Sequence, residues 1–175
     1  MNNKNINNEA LLIYKLVDQI LGNGILNTYT EDFSSRLMVQ KAIYISQEIS
    51  KKNFGGDFSW YLNGPYSPSL SRIIYKHIIP DLPMLFVSKI ELNETGQKLV
   101  QSTTTFFEYD YQQLGLTKSK WYELIASVHY LSKENKTTNA ESLTQMLFEL
   151  KPHFSKEQIR QAIRIYLEEK RELFN

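Results

Sequence analysis

Apolar residues recur at helical spacing through most of this chain, and most such stretches begin behind a residue type that caps helices. Leu12, Ile13, Leu16, Val17, Ile20 and Leu21 form one stripe over about 9–21, stopped by Gly22-Asn23-Gly24. A second helix is expected after Thr30, a cap followed by the acidic first-turn residues Glu31 and Asp32, and should reach about Lys52. Its predicted face, Phe33, Leu37, Gln40, Lys41, Tyr44 and Glu48, is unusual in carrying polar residues where a core stripe would carry aliphatic ones. The last third reads as three helices: 118–133 behind Thr117, 140–150 with Leu143, Leu147 and Leu150 inward, and a final one opened by the capping box Ser155-x-x-Gln158 and lined by Ile159, Ala162, Ile163, Tyr166 and Leu167. Three antiparallel helices of this length can share one core.

The middle of the chain breaks this pattern. After Gly55-Gly56, Phe58-Ser59-Trp60-Tyr61-Leu62 has the composition of a short strand, ended by an Asn63-Gly64-Pro65 turn. Ser67-Pro68 then places a cap and a first-turn proline at the head of a helix running to about Ile79. Pro80-Asp81-Leu82-Pro83 ends it, a second strand is expected over about 85–92, and Asn93 caps a further helix continuing through Phe106 and Phe107 to Leu114-Gly115. The predicted fold is therefore mainly α (α+β): a helical part with a small β-hairpin or winged-helix-like element, about 1–114, followed by a three-helix part, about 115–175, probed best as subdomains of one compact fold.

Composition narrows the chemistry. There is no cysteine, which removes disulfides, thiolate metal sites and cysteine nucleophiles. His77, His129 and His153 lie far apart and form no metal-binding pair, so no metal and no cofactor is expected, and His129, beside an apolar stripe, reads as a partly buried structural histidine. Neither a G-x-x-x-x-G-K-[ST] loop, a G-x-G-x-x-G turn nor a G-x-S-x-G elbow is present. The acidic pairs Glu31-Asp32 and Glu168-Glu169 fall at a helix start and on a charged face, where dipole complementarity and solvation account for them. No catalytic residue is assigned, and the expectation is a non-enzymatic protein. No apolar run approaches the roughly 18 residues of a membrane span, and the Asn-rich first eight residues, expected to be frayed, do not read as a signal peptide, so a cytoplasmic protein is expected.

Function then concentrates on Trp60 to Pro68, where large aromatics surround a tight turn feeding a capped helix. Either Trp60 and Tyr66 wedge strand and helix together while Gly64 supplies a special backbone conformation, or Tyr61, Asn63 and Tyr66 line a recognition surface, for which tyrosine is a favoured anchor. A nucleic-acid footprint would draw on Lys51 and Lys52, on Arg72 and Lys76 in the helix after the turn, with Ser69 and Tyr75 also outward, and on Lys118 and Lys120. With a formal net charge of +1, that density of cations is thin for duplex DNA.

Three stretches carry a family resemblance. Gln40-Lys41-Ala42-Ile43-Tyr44-Ile45, Tyr61-Leu62-Asn63-Gly64-Pro65-Tyr66-Ser67 and Ile90-Glu91-Leu92-Asn93-Glu94-Thr95-Gly96 resemble, in order and spacing, the signature segments of the SocA-like Panacea domain of bacterial and phage antitoxins, and the C-terminal part resembles the YwgA-like branch. Asn63 before the Gly-Pro pair and Asn93 in place of Thr depart from that pattern. The resemblance implies a non-enzymatic helical protein that contacts a partner protein, a toxin or a component of a protease system, with Gln40, Lys41, Tyr44, Gly64, Pro65 and Tyr66 as contact or signature residues. A DNA-binding regulator of winged-helix type is the alternative. Lys41 and Tyr44, nearly one turn apart, could instead brace the Gly-Pro turn.

Overall fold

The computed structural model of the protein describes residues 7–22 and 24–175. Residues 1–6, the body of the Asn-rich stretch, and Asn23, in the Gly22-Asn23-Gly24 stop, lie outside the described residues. Asn7 and Asn8 are not frayed: the Asn7 side chain accepts from the amides of Glu9 and Ala10 and caps α1 (Asn8–Leu21), which Gly22 ends with φ of 91°. Helix α1 buries Ile13, Leu16, Val17 and Ile20 as its spacing predicts, together with Tyr14.

Helix α2 (Phe33–Ser50) is capped by Asp32 rather than Thr30. The chain turns over 28–32, with the Glu31 and Asp32 amides on the Thr28 carbonyl. Asp32 is thus the first residue in extended conformation before the helix, and its carboxylate accepts from Ser34 N, Ser35 N and Ser35 Oγ. From Val39 to Ser46 every side chain of α2 is buried, because α1, α5 and α6 all pack around it. Its polar face is therefore interior and must be satisfied by specific partners, whereas Phe33, expected on the core face, stands largely exposed.

The hairpin is shorter than the sequence pattern suggested. Strand β1 (Ser59–Tyr61) pairs antiparallel with β2 (Gly64–Tyr66) in the register Ser59 to Tyr66, Trp60 to Pro65 and Tyr61 to Gly64. The tip is Leu62-Asn63, and Gly64-Pro65, predicted as the turn, is the start of the return strand. A proline is tolerated there because the sheet consists of these strands alone, so an edge is always open to its missing N–H. Helix α3 (Pro68–Ile73) follows, capped by Ser67 on Leu70 N, and runs on as a π-helical turn over Ile74–Ile78.

The strand predicted over 85–92 is not formed. Pro83 instead sits in the first turn of a short helix α4 (Leu82–Phe86), and the irregular segment after it is tied by Lys15 Nζ to the Ser88 carbonyl at 3.1 Å. A strand here would need a sheet edge beside it, and among the described residues the hairpin pairs with no third strand. Of the two forms expected for the β element, the small hairpin is the one present among the described residues.

Helix α5 (Glu94–Phe107) starts at the predicted cap, Asn93, but stops at Phe107 instead of continuing to Leu114. Glu108 turns to an extended conformation, and the freed Phe107 carbonyl accepts the indole N–H of Trp121 at 2.8 Å. Helices α6 (Lys118–Glu134), α7 (Ala140–Leu150) and α8 (Lys156–Ile165) begin where expected, α6 behind Thr117 and α8 at the Ser155/Gln158 capping box as predicted, and α7 behind Asn139, a cap not among those predicted. Leu143 and Leu147 are fully buried, whereas Leu150, at the end of α7, is half exposed. The three C-terminal helices share one core, joined by Leu37, Tyr44 and Ile45 of α2 and Phe106 and Phe107 of α5. A second core holds α1, α3 and the opposite side of α2 through Val39, Ala42 and Ile43. Among the described residues no helix is long and apolar enough to cross a membrane.

Candidate functional site

The buried polar residues of α2 explain themselves at the hairpin. Gln40 closes a two-way amide clamp on Ser67, accepting from its N–H at Oε1 (2.9 Å) and donating from Nε2 to its carbonyl (3.1 Å), with a further bond to Ser71 Oγ at 2.9 Å. One residue on, Lys41 donates to the Pro65 carbonyl at 2.8 Å. The Gln-Lys pair thus fixes the chain on both sides of Tyr66 and sets the angle at which the hairpin feeds α3.

A second lysine holds the hairpin's other end. Lys151, just past α7, donates to the Leu62 carbonyl at 2.7 Å and to Glu123 Oε1 at 2.8 Å, and stands 5.1 Å from the Trp60 ring centroid. Glu123, fully buried on α6, also receives Lys120 Nζ at Oε2 (2.9 Å), and His153 Nε2 lies 3.0 Å from its Oε1. Gly64 sits against Ser127 Oγ with φ of 84°, a left-handed conformation in contact with α6, so no side chain larger than hydrogen fits there without displacement.

Burial sets the electrostatics. Desolvation, helped by the neighbouring Lys151 charge, lowers the Lys41 pKa to about 7 against the weaker opposing pull of Glu123. Burial lowers Lys151 as well, although Glu123 opposes it. At Glu123 burial works to raise the pKa, but the bonds and charges of Lys151 and Lys120 outweigh it, and the carboxyl titrates below its ordinary value.

Outside this braced floor lies a groove of about 440 Å³. The N-terminal half of α2 forms one wall with Phe33, Arg36 and Leu37, the hairpin forms another with Tyr61, Asn63 and Tyr66, and α3 and its π turn close it with Ser71 and Tyr75. Lys41, Gly64 and fully buried Tyr29 reach it from below. The alternating pleat separates the hairpin's two roles. Trp60 faces inward against Tyr130, while Tyr61 and Tyr66, with ring centroids 5.0 Å apart, belong to the groove side. Tyr66 OH is 3.0 Å from Ser71 Oγ, and Tyr29 packs edge-on to Tyr75. The rim is apolar and open: Leu62 is 80%, Phe33 52%, Tyr61 49% and Tyr75 46% exposed.

The sequence-assigned residues therefore divide. Tyr61, Asn63, Gly64 and Tyr66 line the groove with Gln40 and Lys41, and Pro65 is a buried anchor point. Tyr44 is elsewhere: its hydroxyl meets His129 Nδ1 at 2.9 Å in the C-terminal core and does not brace the turn. His129 is completely rather than partly buried, and burial lowers its pKa to about 3. Ser69, expected outward, is engaged by Gly55 O, Asp57 N and Ser67 Oγ. Lys51, Lys52, Arg72 and Lys76 are exposed and none lines the groove. Lys51 lies about 15 Å along α2 from Lys41, the nearest lining residue of that helix, at 1.5 Å per residue and donates to the Phe174 carbonyl. The pattern missed Glu123, Lys151, Tyr29 and Arg36. A carboxylate inside the apolar stretch of α6 and a lysine directly before Pro152 were the available signals, but their pairing spans 28 residues.

Comparison with protein-family models, with curated proteins and with solved structures found no match to this chain.

Proposed function

We propose that this protein acts by binding another protein, as an antitoxin-like or defence-associated adaptor, and that the groove between α2, the hairpin and α3 receives the partner. The observation that carries this reading is the open apolar rim of Phe33, Tyr61, Leu62 and Tyr75 on a braced floor. Apolar surface of this kind costs solubility unless it is covered in use, and half-exposed tyrosines with few rotamers are effective anchors. The floor favours binding too. Gln40, Lys41 and Lys151 hold two hairpin carbonyls, Leu62 and Pro65, and both the carbonyl and the amide of Ser67 just after it, so the tyrosines are positioned before the partner arrives and less entropy is lost on association. The resemblance to the SocA-like Panacea domain points to a toxin or a protease-system component as the partner.

The test is a tagged pull-down at about 0.15 M salt with and without nuclease, comparing the wild-type protein with a Tyr61→Ala/Tyr75→Ala variant of equal melting temperature. A stoichiometric protein that survives nuclease and is lost from the variant supports the reading. Recovery of nucleic acid in its place, with proteins lost on nuclease treatment, would replace it with a DNA-binding regulator.

A further inference from the structure

The groove carries charge of one sign. Arg36 and Lys41 line it, and among the described residues none of its lining residues is acidic. Both groups keep unused donors, Arg36 as a permanent cation and Lys41, whose pKa falls to about 7, as an amine that an arriving carboxylate would hold protonated. Arg36 makes its two bonds, to the Tyr29 and Thr30 carbonyls at 3.1 Å each, through Nη1 alone, leaving the Nη2 and Nε donors of its half-buried guanidinium. Lys41 gives one of its three protons to the Pro65 carbonyl, and the carboxylate that acts on it, Glu123, is already bound by Lys151 and Lys120. Asp32, four residues before Arg36, feels its charge, but its carboxylate is turned to the Ser34 and Ser35 amides as the α2 cap and, among the described residues, makes no ion pair with Arg36 within 4 Å. A half-buried cation without a close ion-pair partner gains from a carboxylate brought to it where the hydrogen bonds are good enough to offset desolvation, and a guanidinium binds one through parallel hydrogen bonds.

Resting on the protein-binding reading above, we infer that the groove selects an acidic segment of its partner, seating an Asp, Glu or terminal carboxylate against Arg36, over Lys41, with flanking apolar side chains on Phe33, Tyr61 and Tyr75. A peptide rather than a nucleic acid fits because a single-stranded nucleic acid needs a track of cations along its phosphates, whereas the groove offers only Arg36 and Lys41 and the formal net charge is only +1. Leu62, on the groove's hairpin wall and 80% exposed, gives a polypeptide apolar surface to cover beyond the carboxylate.

The experiment is selection of a displayed random 12-residue peptide library on the intact protein, followed by affinity measurement of the enriched peptides as synthetic Asp/Glu and Asn/Gln pairs, with free and amidated C-termini. Enriched peptides should be acidic and apolar, and neutralising the carboxylate in the peptide should weaken binding about tenfold or more, as expected for a charge-assisted bond. The free-acid and amidated forms separate a terminal from a side-chain carboxylate. Arg36→Glu should lose the same peptides, and the peptide-side neutralisation stands even if that variant folds poorly. Enrichment of neutral or basic peptides, failure to enrich any, or displacement of the peptides by single-stranded 12-mer DNA would overturn the inference. A captured partner that depends on Tyr61 and Tyr75 but binds Arg36→Glu equally well would overturn it while leaving the protein-binding reading intact.

Discussion

At the scale of single residues, Gly64 and Glu123 are the positions where substitution should reveal most. Gly64 combines a positive φ with direct contact to Ser127 Oγ. Gly64→Ala should therefore destabilise the fold by roughly 1–3 kcal/mol, seen as a lower denaturation midpoint. Adding Ser127→Gly should restore the steric part but not the conformational part. A Gly64→Ala protein with wild-type stability and lost partner binding would show instead that the glycine serves recognition directly. Glu123 is fully buried and compensates Lys151, which is equally inaccessible. Removing one partner of such a pair strands the other without solvent, so Glu123→Ala should cost about 3–5 kcal/mol in urea unfolding. A loss under 1 kcal/mol would mean that Lys151 sheds its proton or finds water readily.

At the scale of elements, a hairpin of this size has little stability of its own, and here the rest of the fold holds it by two lysine ammonium groups and one glutamine amide. Lys151→Met keeps the bulk of the side chain and deletes the bond to the Leu62 carbonyl. Amide exchange in β1 and β2 should then accelerate about tenfold or more, the equivalent of losing one charge-assisted bond, with smaller changes in the core of α6. Uniform acceleration across α6–α8 would instead show that Lys151 acts through Glu123 on the whole C-terminal core. Helix α2 shows why its pattern was hard to read: its middle turns, Val39–Ser46, are buried on every side, so they have no solvent face and their polar residues mark partners rather than water.

At the scale of the whole molecule, stability should depend on pH through buried groups in both cores. His129 titrates at about 3 in the folded protein against 6.5 for an unperturbed imidazole, because burial excludes its charged form. Between those values the unfolded chain binds a proton that the folded one refuses, so stability falls as pH drops from 6.5 toward 3, by at most about 1.4 kcal/mol per pH unit for this group. Glu123, lowered in the folded state, acts in the same direction: its contribution is present above the ordinary carboxylate range and is lost as pH falls through its folded pKa. Lys41 acts at the other end. Its pKa of about 7, below the ordinary 10.5, makes stability rise with pH across that interval, since the unfolded chain holds the proton longer. The melting temperature should thus decline from pH 7.5 to 4.5, and His129→Gln should flatten that decline even where it lowers stability overall. A wild-type melting temperature unchanged between those pH values would contradict a neutral, buried His129.

The sequence by itself determined the helices of the C-terminal part, the caps of α6 and α8, α1 and the head of α3, because apolar spacing and capping chemistry are local and each signal lies within a few residues of its effect. It also marked Gln40, Lys41 and the Tyr61–Tyr66 stretch as unusual. Only the tertiary structure decided what they do. The Gln40 clamp on Ser67 joins residues 27 apart, and the Lys151 bond to Leu62 spans 89. The absence of a strand over 85–92 depends on whether a sheet edge lies nearby, and the separation of Tyr44 from the groove depends on which helix packs against each side of α2. Hydrogen bonds that satisfy buried polar groups are made wherever packing brings a partner, and packing between elements distant in sequence leaves no period for a pattern to display.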